Sequence, residues 1–332
     1  MMKDRVQQKR KASIWILVVA IGVLALKSLA YTLAPSAALL SDALETIVNV
    51  LAGVVTLVVI RFVSQPADLE HPYGHGKAEF VSAAFEGGLV FAAALLTVVE
   101  AIRSYYHPYS LQNLDAGLLV SVLAASINLV LGLYLKKVAS EEKSEAIGAS
   151  SLHLLSDVYT TLGVLAGLLL VRLTGWTVLD SVIAAIVGVV LMRESYTLIR
   201  GAVAGLIDER RDEVLAALVP TLERHRFAGE VEIHQLRVIR SGDFHHIDAH
   251  IVLPRFWSLD RVHAETEKYE AQVLNDYEFD GEIAFHVDPC KDSHCANCGL
   301  PECPIRKSAF VGLKRFQLGK LIMPPQTELT SR

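Results

Sequence analysis

Two pairs of polar residues interrupt otherwise apolar stretches of this sequence, and each pair is spaced four apart. They are Glu45 and Asn49 in Ser41-Asp-Ala-Leu-Glu-Thr-Ile-Val-Asn49, and His153 and Asp157 in His153-Leu-Leu-Ser-Asp157. On an α-helix, residues four apart share a face. If the two faces meet, four oxygen and nitrogen donors converge, a set that suits Zn²⁺ and leaves Mn²⁺, Fe²⁺ and other divalent ions open. Such ligands must be deprotonated to bind metal, so the same residues permit exchange of an ion for protons, and His153 titrates in the useful range. The alternative is that these groups only hydrogen-bond one another between helices. Asp42, three residues before Glu45, lies near the same face, either as a proton-handling neighbour or as a solvated acid at a helix end.

Three further groups have metal-ligand chemistry. The segment Asp68-Leu-Glu-His71-Pro-Tyr-Gly-His75-Gly-Lys-Ala-Glu79 offers Asp68, His71 and His75 as a second site, with Gly74 and Gly76 turning the backbone around His75. A polar loop with chance histidines is the bland reading. Later, His234, His250 and the pair His286/Asp288 fall on expected strands and Glu265 on an expected helix. Residues two apart on a strand share a face, so His286 and Asp288 can act together in a bridging metal cluster. Isolated structural histidines are the alternative, and His245, His246 and His263 stand as substitutes. Finally, all four cysteines lie in Cys290-x4-Cys295-x2-Cys298-x4-Cys303, with His294 beside them. Four close thiols in a reducing compartment can close an extra tetrahedral zinc site, and are otherwise reactive or structural thiols; a disulfide is not expected there.

The elements that position these groups follow from hydropathy. The 332 residues are 52% hydrophobic, above the roughly 45–50% of soluble chains, with a mean hydropathy of +0.39. Six stretches before Asp208 approach the ~20 apolar residues a spanning helix needs: Ser13–Ala34, Leu39–Val63, Phe80–Ile102, Ala116–Leu135, Ala146–Leu173 and Val178–Leu198. The first follows a basic start and is too long for a cleavable signal, so it is expected to remain as a span. Basic residues collect at the N-terminus (Lys3, Arg5, Lys9, Arg10, Lys11), around Arg61 and Lys77, and at Lys136, Lys137 and Lys143. That distribution places both termini in the cytoplasm and points to a bacterial plasma (inner) membrane. The net charge of −5 argues against nucleic acid.

After the spans, a helix from Asp208 to about His225, strands Val231–Arg240 and Phe244–Leu253 joined by Ser241-Gly242-Asp243, a helix Leu259–Tyr277 and a strand Glu282–Val287 are expected. The order α-β-β-α-β predicts a small α+β domain with helices on one face of a three-stranded sheet. The chain thus reads as an α-helical membrane protein: a cytoplasmic N-terminus (1–12), a six-helix transmembrane domain (13–200), a cytoplasmic α+β metal-binding domain (208–290) and a cysteine-containing segment with a disordered tail (291–332).

At these residues the sequence resembles the cation diffusion facilitator family of metal/proton antiporters, near its bacterial zinc and iron efflux members, from about Ala12 to Cys290. Its most specific element is Gln65-Pro-Ala-Asp-Leu-Glu-His-Pro-Tyr-Gly-His-Gly-Lys-Ala-Glu79. The resemblance implies a Y-shaped homodimer of six-helix bundles, each with a metallochaperone-like cytoplasmic domain, working by alternating access. It places a transport site on Glu45, Asn49, His153 and Asp157, a loop site on Asp68, His71 and His75, and a cytoplasmic site on His234, His250, Glu265, His286 and Asp288. It also matches Lys77 and Asp208 to a dimer-stabilising salt bridge. The chain departs from the family in carrying Glu45 and Asn49 where close relatives have Asp or His followed by Asp, and Glu265 where a histidine is often found.

The expected function is efflux of a divalent transition-metal ion, Zn²⁺ first, from the cytoplasm by proton antiport. A membrane-anchored metal sensor or metal-binding protein is the alternative. A metallohydrolase is disfavoured because no His-Glu-x-x-His helix occurs.

Overall fold

Ser36 and Asp180 show how the membrane-spanning part is held. Ser36 caps the helix that follows it by accepting from the Leu39 N–H, and the Asp180 carboxylate accepts from the Ser36 hydroxyl and from the backbone N–H groups of Ala37 (2.8 Å) and Ala38 (3.2 Å). A buried acid thus satisfies the exposed donors at a helix N-terminus. The computed structural model describes residues 2–107, 113–142, 145–242 and 244–323. The expected tail beyond Met323, together with Lys143 and Asp243, lies outside the described residues.

Six long helices come first: α1 (Met2–Leu33), α2 (Ala37–Val63), α3 (Ala78–Tyr106), α4 (Leu114–Glu142), α5 (Glu145–Thr174) and α6 (Val178–Leu206). Five carry described stretches long and apolar enough to cross a bilayer: Ala37–Val63, Ala78–Tyr106, Leu114–Val138, Leu154–Thr174 and Val178–Leu206. The described apolar stretch of α1, Leu17–Leu33, is shorter. The chain is therefore a multi-pass membrane protein. Small residues let the helices approach: Ala34, Ala38 and Ala94 are buried with Leu39, Val164 and Leu168, and the Ser151 hydroxyl donates to the Gly132 carbonyl across α4 and α5 at 2.8 Å. Val58, Val130 and Val189 point outward, as apolar surface facing lipid should.

The described chain divides into two compact units, Met1–Pro66 with Ala78–Val203 and Ala67–Lys77 with Ala204–Arg332. The second holds α7 (Asp212–Arg224), β1 (Glu232–Ser241), β2 (Phe244–Leu253), α8 (Leu259–Asp276) and β3 (Asp280–Pro289), the expected α-β-β-α-β order. The first helix starts at Asp212 rather than Asp208 because Asp208 has φ +56°, a left-handed conformation that cannot continue a helix. β1 and β2 form an antiparallel hairpin turning at Gly242 (φ +65°), and α8 carries the chain over to β3, parallel to β2. The resulting order is β1-β2-β3.

Alternation gives the sheet two unlike faces. Ile247, Ala249 and Ile251 of β2 and Ile283 of β3 join Leu215, Leu218 and Leu222 of α7 and Tyr269 and Val273 of α8 in the core. Tyr269 stacks on Phe285 at 5.6 Å. The other face carries His250 and His286. β1 contains one extra residue between His234 and Arg237, where Gln235 takes φ +51°. This bulge flips the strand's parity, so Ile233 and Val238 both reach the core while His234 and Arg237 both face the other way.

Candidate metal centres

In the membrane unit, Glu45 and Asn49 of α2 meet Asp157 of α5. The Asn49 amide Nδ2 donates to Asp157 Oδ2 at 2.7 Å, and Asp157 is buried. Glu45 is 8% exposed, within hydrogen-bonding reach of Asp157, and its Oε2 has no hydrogen-bond partner. An unsatisfied carboxylate oxygen in such a place costs free energy unless a proton or a cation arrives. His153 lies on α5 one turn before Asp157, and its side chain lies outside the described residues.

Asp42 is not a solvated acid. It is buried, accepts from the Thr161 hydroxyl at 2.8 Å and pairs with the Lys27 ammonium at 2.8 Å, both partners of the ion pair being 1% exposed at the side chain. Lys27 escaped the sequence reading because it sits singly in the apolar run of α1. The signal was there: a lysine deep in a span demands a partner, and Asp42 on the next span was the acid to test.

In the C-terminal unit, the sheet register does what spacing could not show. His234, His250 and His286 are Cα partners across three strands. Ring centroids lie 5.1 Å apart for His234 and His250 and 4.5 Å for His250 and His286. Asp288, two residues after His286, reaches back over the row: its Oδ2 is 3.0 Å from His250 Nδ1 and 3.3 Å from His234 Nε2, and its Oδ1 is 3.8 Å from His286 Nε2. Donor atoms of His234, His250 and Asp288 all lie within 4.8 Å of one another, while His286 stays 70% exposed at the rim. His234 is buried with neither ring nitrogen hydrogen-bonded, and burial pushes its imidazole below the usual histidine value against the pull of Asp288. A neutral, unsatisfied imidazole beside a carboxylate fits a metal ion.

Glu265 is not brought to this cluster. It sits on α8, whose buried side packs against the opposite face of the sheet through Tyr269 and Phe285. The substitutes are engaged elsewhere: His245 Nδ1 lies 2.7 Å from the Tyr277 hydroxyl, His246 Nδ1 lies 2.7 Å from Glu282, and His263 is exposed on α8.

The loop group also assembles. Asp68 Oδ1 accepts from the backbone N–H groups of His71 (2.7 Å) and Glu70 (2.9 Å), which together with His71 hold the carboxyl below its usual range, the His71 N–H contributing most. Its oxygens lie 3.2 Å from His71 Nδ1 and 3.5 Å from His75 Nε2, and the two rings stand 4.3 Å apart. Gly74 supplies a left-handed turn at φ +78°. Gly76 is needed for a different reason: a Cβ there would overlap the Ser241 carbonyl. Lys77, next in the chain, pairs with Asp208 at 2.9 Å with both partly exposed. The cysteines Cys290, Cys295, Cys298 and Cys303 are all free and line one pocket after β3.

Comparison with known proteins bears on both units. A family model described as the cation efflux transmembrane domain matches residues 13–207, and one described as the cation efflux protein cytoplasmic domain matches residues 211–290. An uncharacterised transporter of Synechocystis is 31% identical over 274 residues, covering 82% of this chain and 88% of that protein. The cation-efflux pump FieF of Shewanella oneidensis is 28% identical over 272 residues, 81% of this chain and 90% of the relative. FieF of Serratia proteamaculans is 29% identical over 270 residues, 81% and 88%.

Proposed function

The chain belongs to the cation diffusion facilitator family of cation-efflux transporters, and from that premise we propose that it exports Zn²⁺ from the cytoplasm in exchange for protons. The single observation that carries this reading is the meeting of Asn49, Asp157 and the unsatisfied Glu45 between α2 and α5, inside the membrane unit. A site of neutral amide, imidazole and two carboxylates suits a borderline divalent ion, with Fe²⁺, Mn²⁺ and Cd²⁺ as competitors.

The proton coupling follows from the two carboxylates. In contact at low dielectric, Glu45 and Asp157 cannot both stay ionised without a compensating positive charge. A shared proton supplies it in one state and the transported ion in the other, so loading the ion expels the proton and protonation on the far side releases the ion. Asn49 contributes its amide oxygen when the ion enters and its N–H to Asp157 when it leaves.

The clusters His234/His250/Asp288 and Asp68/His71/His75 are proposed to hold resident metal rather than cargo, with His286 completing the first. The working assembly is a homodimer in the plasma (inner) membrane, both termini cytoplasmic, in which metal at the C-terminal units favours their docked state and alternating access moves the ion. The exposed rim at His286 supports an opening toward a second chain.

Uptake by inside-out vesicles under an imposed pH gradient, comparing Zn²⁺, Fe²⁺, Mn²⁺ and Cd²⁺, tests this reading. Gradient-dependent Zn²⁺ uptake that vanishes in Asp157→Ala with folding retained is expected. Normal uptake by Asp157→Ala refutes the site, and no uptake of any ion favours a membrane-anchored metal sensor.

A further inference from the structure

We propose that Cys290, Cys295, Cys298 and Cys303 bind one thiophilic divalent ion, Zn²⁺ by preference, as a tetrathiolate site that staples the segment after β3 to the end of the sheet. The cytoplasmic-domain family match ends at residue 290, so three of the four cysteines lie beyond it, and the site is independent of which ion is transported.

Residues 291–323 need a staple. Their only regular structure among the described residues is a six-residue 3-10 turn, Asp292–Asn297, and the short helix α9, Leu318–Leu321. Irregular segments of this length are uncommon in a compact domain and are usually functional or disordered. Cys298, Leu300 and Leu321 insert into the core, so the segment is anchored at isolated points. All four cysteines line one pocket.

The backbone around that pocket is arranged for sulfur ligands. Cys290 follows Asp288 by two residues, and its N–H donates to the Leu253 carbonyl at 2.8 Å, extending the β2–β3 ladder to the first ligand. The Arg306 guanidinium donates to the carbonyls of Cys295 (2.9 Å), Cys298 (3.0 Å) and Leu300 (2.6 Å), which fixes the Cys-x-x-Cys turn from outside. The Lys307 N–H points at Cys295 Sγ at 3.4 Å, an N–H···S contact that strengthens when sulfur is ionised. A divalent ion held by four thiolates leaves two net negative charges, and Arg255, Lys291 and Arg306 line the same pocket.

Among the described residues no three of these sulfurs lie within 4.8 Å of one another, the spacing that the two histidine–aspartate clusters reach. The ion therefore draws the loop together on binding, so folding of the segment and occupancy are one equilibrium.

Because these four are the only cysteines in the chain, thiolate-to-metal absorption can arise nowhere else. The reduced, metal-stripped full-length protein in detergent is titrated with Co²⁺. One equivalent per chain should give thiolate-to-cobalt charge-transfer absorption with tetrahedral d–d bands, and Zn²⁺ should bleach both. Cys298→Ser, which removes a ligand outright, should weaken that binding by at least the roughly 100-fold that loss of an outer-shell partner can cost, and Asp157→Ala should leave it unchanged. Zinc should also protect the segment after Cys290 from protease in the wild type. Absence of charge-transfer absorption in the reduced wild-type protein, or recovery of Cys295 and Cys298 as a disulfide that resists reduction, overturns the proposal.

Discussion

In the membrane unit Asn49 and Asp157 meet across two helices through a 2.7 Å side-chain hydrogen bond, whereas in the C-terminal unit His234, His250 and His286 occupy matched positions on three hydrogen-bonded strands. Both draw on oxygen and nitrogen donors that suit a borderline divalent ion. The scaffolds differ in what they allow. Two helices joined by side chains can slide or rotate and so pull a ligand set apart, while a ladder must lose backbone hydrogen bonds before its histidines separate. On the function proposed above, the first scaffold suits a site that must release its ion and the second a site that keeps it.

Buried charge is handled differently as well, and this gives the largest expected effect. Lys27→Met should cost about 3–5 kcal/mol, because Asp42 then keeps a buried charge without its partner. Adding Asp42→Leu should recover most of the loss, since replacing both members with apolar groups removes the penalty. Thermal unfolding of the single and double variants in detergent checks this, and a single variant as stable as wild type would show that the pair is hydrated.

The C-terminal unit buries an acid with weaker compensation. Glu230 is fully buried with Arg226 Nε 3.5 Å away, and burial pushes its carboxyl up to about 8 from an ordinary 4.5. The unfolded chain releases this proton near 4.5 and the folded chain holds it to about 8, so stability is full below about 4.5 and falls as pH rises through that window. The loss should reach up to about 5 kcal/mol once pH passes the folded value, and Glu230→Gln should flatten the profile of thermal stability against pH.

Asp288→Asn sharpens the contrast between the sites. At a zinc concentration 100 times its Kd the wild-type cluster should add about 2.7 kcal/mol, and the variant should lose most of that increment. Asp157→Ala should keep it. Loss of the increment in both variants would mean that the two sites are not separate.

Smallest is the surface pair. Lys77→Ala removes a 2.9 Å ion pair whose side chains are 42% and 32% exposed, so water already screens it and less than about 1 kcal/mol is expected. A larger loss of dimer stability, measured by sedimentation, would show that assembly buries the pair.

Much of this was legible along the chain, for reasons visible in particular residues. Periodicity placed α8 and β2 at their observed bounds except for one residue, because helical spacing and alternation are local signals. The Asp68/His71/His75 group was also legible, since its members are close in sequence and glycines turn the chain between them. Lys27 and Asp42 were harder: their partnership joins two helices, and an apolar run hides a single lysine. Glu265 was assigned by spacing and resemblance to a cluster it does not reach within one chain, because only the packing of α8 decides which face of the sheet it covers.

The sequence by itself determined the six apolar helices, the α-β-β-α-β order and the residue types able to hold a divalent ion, because hydropathy and alternation act over a few neighbouring residues. Tertiary structure decided which of those residues meet. The extra residue at Gln235 flips the parity of β1, the parallel return through α8 sets His286 beside His250, and the approach of α2 and α5 brings Asn49 to Asp157. Each of these depends on how separate elements pack, where the free energy of burial acts between residues far apart in the chain.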